Sequence, residues 1–460
     1  MPRLIVNLAR FAPALPLLFS QRPMSSPTPV SPALISRRSA LKTGLAGIVA
    51  TGLAPLFLPS RLFGASAPSN RITVGIVGNG LIATSHVGAL LERDDCQIVA
   101  LCDVWRSKAE RMQQRVQSGY AENAGTSGFK GVDLYGTHEE LVARPDIDVV
   151  FATTPDHWHA AVSIAAMQAG KDVYCEKPMT LTVREGRTMV NIARRTGRVL
   201  QTGTQQRSES AFRRAATIIR NGWIGDIKLI KTRLGKFPAA TDLPEEPIPA
   251  DFNYDRWLGP TPWRPFNHQR VLGNYGGGWR VFLEYGSRKN GDWGAHHFDI
   301  IQWALGMDDS GPVEFIPAGF EGSPYQTHRY ANGVTVQRVD GNQPAMIEFI
   351  GTEGTIGVGR DDYLVCNPVA LATRPLRADE AHLYESNDHH EDFFRCVRTR
   401  QRPIADVEIG HRSATVGHLC GIARQLRRPL RWDPVAEDIV GDPLASRLLD
   451  RPRRAPYALL

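Results

Sequence analysis

Ile72-Thr73-Val74-Gly75-Ile76-Val77-Gly78-Asn79-Gly80-Leu81-Ile82-Ala83 is the stretch that decides the fold of this chain. Its first six residues read as a buried strand. G-x-G-x-x-A follows without a break and leads into a helix predicted to run to about Arg93. A second strand, over residues 97–102, ends on Asp103, twenty residues after Ala83. Between a strand and a helix, with an acidic residue ending the next strand, such glycines form a dinucleotide site. They permit a tight turn and close approach to a pyrophosphate, which meets the free N–H groups of the helix start, while a carboxylate accepts both ribose hydroxyls. Gly78, Gly80, Leu81, Ile82 and Asp103 are therefore the first cofactor-binding candidates. Asp103 would repel a 2′-phosphate, which favours NAD, and Arg106 three residues later leaves NADP open.

The alternation of strand and helix continues. Residues 148–153 read as a strand that turns through Thr154-Pro155-Asp156-His157-Trp158-His159 into a helix, and residues 172–175 as another that runs into Glu176-Lys177-Pro178. Ligands of an open parallel sheet bind beyond the carboxyl ends of its strands, so Thr154, Pro155, His159, Glu176 and Lys177 join the cofactor set. A lysine at such a strand end can also stabilise a substrate alkoxide. Past residue 196 the periodicity changes. A helix at 210–220 and strands at 199–203, 228–233, 334–337, 346–350 and 354–358 suit an antiparallel sheet, and helices at 387–399 and 411–427 follow. Proline-rich loops over 238–265 are expected to wrap a neighbour. The predicted fold class is α/β: a Rossmann domain over 68–195, an α+β domain with an open, mostly antiparallel sheet over 196–435, and a tail over 436–460.

A second polar cluster lies in residues 291–306. On one helix, Asp292, His296 and Asp299 share a narrow face opposite Phe298, Ile301, Ala304 and Leu305. His296 is placed to move a proton, with Asp292 one turn earlier to hold its tautomer. His297 points about 100° away and reads as a packed histidine. It stays among the substrate-side candidates with Arg207, Trp279 and Arg280, since sugars offer an apolar face to aromatics and hydroxyls to arginine. Zinc on His296, Asp292 and His159 is the rival reading. No ligand spacing supports it, and no metal is predicted.

At 460 residues, with 42% hydrophobic and 22% charged residues, the chain has room for two cored domains, which excludes disorder and a multi-span membrane protein. Seven of the 54 basic residues and none of the 47 acidic ones fall in residues 1–67, so the remainder carries 47 of each. A nucleic-acid partner is thereby excluded. Within that basic segment, Ser36-Arg37-Arg38-Ser39-Ala40-Leu41-Lys42 resembles the twin-arginine export motif. The apolar run over 43–58 is short for a membrane span, which needs about twenty residues, and suits a signal segment. Residues 1–67 are thus expected to engage the twin-arginine translocase and direct the protein to the periplasm, cleaved near Ala67 or retained by an uncleaved signal. Six scattered cysteines with no C-x-x-C pair read as free thiols.

Together Gly78 to Ala83, Thr154-Pro155-Asp156 to His159, Glu176-Lys177-Pro178 and Asp292-x-x-x-His296 resemble the Gfo/Idh/MocA family (glucose-fructose oxidoreductase, inositol dehydrogenase and rhizopine catabolism proteins), over residues 71 to about 430, and look most like its exported branch. The resemblance implies a Rossmann domain followed by an open-sheet domain that carries substrate and often builds a homo-oligomer. It implies that Lys177, Asp292 and His296 form the catalytic group acting on a sugar or polyol carbinol. Asp156 stands where Asn is common. The expected activity is NAD(P)-dependent oxidation of a sugar, polyol or glycoside by hydride transfer with a tightly held cofactor. The alternative is a glycoside-cleaving enzyme that oxidises its substrate transiently and eliminates the aglycone. A non-catalytic sugar-binding protein stands third.

Overall fold

A computed structural model describes residues 70–122, 131–240, 242–275, 277–341 and 343–459; the export segment expected over 1–67 lies outside them. The first sheet is built from β1 (Ile72–Val77), β2 (Cys96–Cys102), β3 (Asp133–Tyr135), β4 (Val149–Ala152), β5 (Asp172–Cys175) and β6 (Leu200–Thr202). Its order is β3-β2-β1-β4-β5-β6, parallel throughout. The order reverses between β1 and β4, which places the ligand crevice beyond their carboxyl ends. Every residue of β4 and β5 is buried, because helices cover both faces of a parallel sheet. The longer helices here are α1 (Leu81–Leu91), α2 (Arg106–Glu122), α3 (Asp156–Gln168) and α4 (Val183–Thr196). α4 opens on a capping box between Thr182 and Glu185 and stops at Gly197, whose φ is +65°.

Residues 199–203 read in the sequence as part of the second domain. The structure corrects this: β6 pairs with β5 through Val173 and Leu200, so the change of sheet follows Gly203. Three residues carry no period that could assign them to either sheet.

The second sheet contains β7 (Ile227–Arg233), β8 (Glu314–Ile316), β9 (Thr327–Arg329), β10 (Thr335–Val339), β11 (Ile347–Gly351), β12 (Thr355–Val358), β13 (Leu364–Asn367), β14 (Leu430–Asp433) and β15 (Asp438–Ile439). Their order is β13-β12-β11-β7-β10-β9-β8-β14-β15. The pairing is antiparallel except between β10 and β7. Alternate residues such as Ile230, Val336, Phe349 and Ile356 point into one core, filled from the other side by α5 (Ser210–Arg220), α6 (Gly294–Leu305) and α8 (Val407–Leu426). Between them in sequence, α7 (His389–Thr399) packs Phe393 and Phe394 into the core of the first sheet. Among the described residues all six cysteines are free and buried.

Two long segments differ from their sequence reading. The proline-rich stretch over 238–265, expected to wrap a neighbour, packs on its own chain. Phe252 stacks on Trp105 with ring centres 4.5 Å apart, and main-chain bonds join Arg106 to Asp251 and Asn253 to Val104, both at 2.9 Å. Its aromatics need burial and find it in a small core with Trp279, Phe282 and Tyr285. Residues 436–460 read in the sequence as a tail; the described ones, 436–459, supply β15 and then run back over the 238–265 segment and the first domain. There Arg454 Nη2 donates to the Asp255 carbonyl at 2.8 Å and Tyr457 meets Trp158 edge-on at 5.5 Å.

Candidate active site

The crevice above β1 and β4 is lined by Gly78, Asn79, Gly80, Leu81, Ile82, Asp103, Thr154 and Pro155, with Phe252, Arg256 and Trp257 closing it from the second domain. Gly78 has φ +92°, and a Cβ there would lie 2.7 Å from the Thr154 nitrogen, so β4 can approach only a glycine. A Cβ on Gly80 would meet nothing within 4 Å. Gly80 caps α1 without a side chain, and no acidic residue occupies the first turn, so the helix N-terminus stays free for an anion. Asp103 accepts from the Asn79 N–H at 2.7 Å and the Trp105 N–H at 2.8 Å. A carboxylate has about four acceptor positions, so two remain for ribose hydroxyls. Burial pushes the Asp103 carboxyl up and Lys108 pulls it back. Lys108 sits over the Trp105 ring at 4.4 Å. Asn79 Oδ1 and Thr154 Oγ1 are buried on this crevice with no partner. Free helix N–H groups, an empty cradle at Gly80 and two orphaned polar atoms fit a dinucleotide.

His159 and Glu176 lie behind the crevice rather than in it. The His159 ring spans the carbonyls of Pro178 and Thr154 at 2.8 and 2.9 Å, tying the ends of β4 and β5 together. Glu176 accepts from His86 Nε2 at 2.9 Å, and His86 Nδ1 accepts in turn from His390 at 2.8 Å. Burial opposes ionisation of Glu176, but the His86 bond holds its carboxyl below the ordinary value. Both residues therefore fix the loops, and Glu176 also lines the neighbouring cavity that holds Lys177.

Lys177, Asp292 and His296 converge on a second cavity of about 740 Å³, and Ile82 lines both it and the dinucleotide crevice. Lys177 Nζ donates to Asp292 Oδ1 at 2.5 Å and to the Asp292 carbonyl at 3.3 Å, and Lys289 Nζ stands 3.4 Å from Oδ2. Burial works against the Asp292 charge, but Lys177, then Arg280 and Lys289, keep the carboxyl below its ordinary value. Burial and the nearby Lys177 and Arg360 charges push His296 well below the ordinary imidazole value. The result is an ammonium–carboxylate pair beside a neutral imidazole, whose buried Nδ1 has no partner. The single helix expected over this cluster is broken: a short helix ends at Asp292, Trp293 intervenes, and α6 begins at Gly294. Asp292 consequently orients Lys177, not the tautomer of His296.

Asp156 stands buried at the start of α3. Burial pushes its carboxyl up to about 8, aided by Asp292 and opposed by Arg280, Lys177 and the Ser287 main chain. The folded value exceeds the ordinary one, so the stability it contributes is complete at acid pH and lost as pH rises from about 4 through 8. Denaturant titrations from pH 5 to 9 should therefore show Asp156→Asn progressively more stable than wild type, by up to about 5 kcal/mol. A difference that does not change with pH would mean the carboxyl is ionised throughout.

The remaining substrate candidates are placed elsewhere. Arg207 is 1% exposed; its Nε donates to Asp299 at 2.7 Å and its two Nη atoms donate to Asp308 at 3.1 and 2.7 Å. Asp299 thus belongs to a buried ion pair and does not line the cavity with His296. His297 is 1% exposed and bonded to Thr232 Oγ1 at 3.1 Å, a packed histidine outside the cavity. Trp279 and Arg280 stack at 4.2 Å and line the dinucleotide crevice. Among the described residues no three His, Cys, Asp or Glu side chains gather to hold a metal ion. Sequence reasoning missed His86, Lys289, Arg360 and His390. Lys289, three residues before Asp292, and the Asp361-Asp362 pair between two strands were the available signals.

Residues 72–204 match the NAD-binding Rossmann domain of the Gfo/Idh/MocA oxidoreductases, and residues 234–459 match the C-terminal α/β domain of the same family. An inositol 2-dehydrogenase of Salmonella typhimurium is 28% identical over 180 residues, which span 39% of this chain and 49% of that protein. A glycosyl hydrolase family 109 protein of Shewanella baltica is 32% identical over 125 residues, or 27% of this chain and 26% of the relative. The chain thus spans less than half the length of these curated relatives. The structure of an aldose-aldose oxidoreductase from Caulobacter crescentus superposes with a TM-score of 0.54 at 18% identity, covering 78% of this chain and 99% of that one, which establishes a shared fold. With both domains matched in order, the chain belongs to the Gfo/Idh/MocA family of NAD-binding oxidoreductases.

Proposed function

We propose that this protein oxidises and reduces a sugar or polyol carbinol by reversible hydride transfer, that it is exported by the twin-arginine route, and that it keeps its NAD bound throughout. The observation that carries the reading is the Lys177–Asp292 pair with neutral His296 in a cavity sharing Ile82 with the dinucleotide crevice. Gly78 to Ile82, Asp103, Thr154 and Pro155 would hold the NAD, which supplies a hydride acceptor for the carbinol C–H. His296, neutral, takes the hydroxyl proton. Lys177 stabilises the developing alkoxide, and Asp292 holds the ammonium in place. The 238–265 segment walls the crevice and slows cofactor escape. Outside the cytoplasm a released cofactor has no evident source of replacement, so the overall reaction must be redox-balanced: hydride exchanged between two sugars, or one substrate oxidised and re-reduced. The likeness to an aldose-aldose oxidoreductase supports the first form, and the likeness to a glycosyl hydrolase family 109 protein the second.

Protein purified without added nucleotide should release close to one NAD per chain on acid quenching, as retention demands sub-micromolar affinity or tighter. Incubation with sugar pairs, and separately with nitrophenyl glycosides, distinguishes the two forms. Interconversion of the pair marks the exchanger, whereas phenol release without net reduced cofactor marks the glycoside cycle. An apo protein that works only with steadily supplied NAD, at micromolar or weaker affinity, overturns the closed cycle.

A further inference from the structure

One cation in the substrate cavity enters the chemistry above only through the charge it adds near His296. Arg360 lines the same cavity as Lys177, Asp292 and His296. It sits where β12 turns into β13, at a bend held by main-chain bonds from Gly359 to Tyr363 at 2.9 Å and from Tyr363 to Arg360 at 3.2 Å. Asp361 and Asp362 both adopt left-handed φ, +58° and +55°, which suits a tight two-residue hairpin. Ser210 Oγ donates to Asp362 at 2.8 Å and anchors the bend to the start of α5. The backbone that carries Arg360 is therefore pinned from both sides.

Its side chain is pre-organised as well. The guanidinium lies over the Trp293 ring, 4.6 Å from the centre, and Nε is buried without a hydrogen-bond partner. Three of the four carboxylates lining the cavity are committed elsewhere. Glu176 is taken by His86 and Asp292 by Lys177 and Lys289. Asp388 caps α7 by accepting from the Glu391 N–H, and Glu209 is near enough for the Arg360 charge to favour its ionisation, with no hydrogen bond between them. An arginine held over an aromatic ring and lining a reaction cavity, with no anion of the protein hydrogen-bonded to it, is suited to bind a planar carboxylate or a phosphate.

We propose that Arg360 is the specificity-determining residue of this cavity and that the natural substrate carries an anionic group, a carboxylate or a phosphate, besides the carbinol that reacts. The inference rests on the oxidoreductase reading, since it is that reading which makes this cavity the substrate site. A neutral sugar would leave the guanidinium without a hydrogen-bonded anion, whereas a sugar acid or sugar phosphate would supply one.

The test is direct binding, by calorimetry on the protein as purified, of glucose, glucuronate and glucose 6-phosphate. At least one of the anionic sugars should bind about ten- to a hundredfold more tightly than glucose, the range expected of a charge-assisted, two-pronged hydrogen bond. Preference for glucuronate or for glucose 6-phosphate decides between carboxylate and phosphate. Arg360→Gln should bring that ratio close to one, and Arg360→Lys should restore part of it. Equal affinity for all three sugars, or a preference that survives in Arg360→Gln, overturns the assignment. Weakening of all three alike in the variant also overturns it, as the arginine would then only support Trp293. Binding is read independently of turnover: an Arg360-dependent anion preference with no change in nicotinamide absorbance on any sugar would count against the redox function and leave the anion site standing.

Discussion

Lys177→Met is expected to lower turnover by about two to four decades while the protein stays folded with its nucleotide in place. The ammonium hydrogen-bonds to Asp292, which has Lys289 at 3.4 Å as a second cation, and methionine reproduces most of the lysine stem. His296→Ala should fall in the same range. Its buried Nδ1 has no partner, so truncation breaks no hydrogen bond at that atom. The double variant should be little slower than the worse single one, because both groups act on one hydroxyl. Initial rates paired with the NAD content of each variant make the test, and a near wild-type rate in either single variant would remove that residue from the chemistry. The depressed imidazole value also sets the pH profile. A base held below its ordinary value stays neutral as pH falls past 6.5, so the acid limb of the wild-type rate should lie well below that pH.

The second large effect concerns stability. Arg207→Ala should cost about 3–5 kcal/mol, the usual loss when one partner of a buried ion pair is removed. The variant strands Asp299, which is wholly buried and left with only the Ser413 hydroxyl at 2.8 Å. It also removes the cation stacked over Trp303 at 5.2 Å. Burial already pushes the Asp299 carboxyl up against the pull of Arg207. Without the arginine, Asp299 takes a proton on folding, and that contribution is lost as pH rises. The deficit in urea titrations should therefore be larger at pH 8 than at pH 5, and Asp299→Asn in the same chain should recover part of it. A loss under 1 kcal/mol would show that the pair is not buried in solution.

Much of this was legible in the chain because the relevant signals are local. The glycine turn, Asp103 at the end of β2, and Glu176-Lys177-Pro178 at the end of β5 lie where a strand meets a loop, and a strand end of a parallel sheet faces the ligand. What failed depends on the third dimension. Arg207 and Asp299 lie far apart in sequence, and only the packing of α6 shows that they satisfy each other. Asp292 and His296 share a helical face on paper, but the interruption at Trp293 separates their roles. Arg360 was hard to read because a two-residue bend between short strands has no hydrophobic period, and the Asp361-Asp362 pair beside it marks a turn rather than a ligand.

The wall that Phe252, Arg256 and Trp257 put against the crevice is made by a stretch of chain synthesised long after Asp103 and Trp105. A first domain emerging alone offers a nucleotide one side of its berth. The other side arrives only when the second domain has formed and the aromatic segment has docked. The retention of nucleotide proposed above therefore depends on both halves having folded and on the aromatic segment having docked.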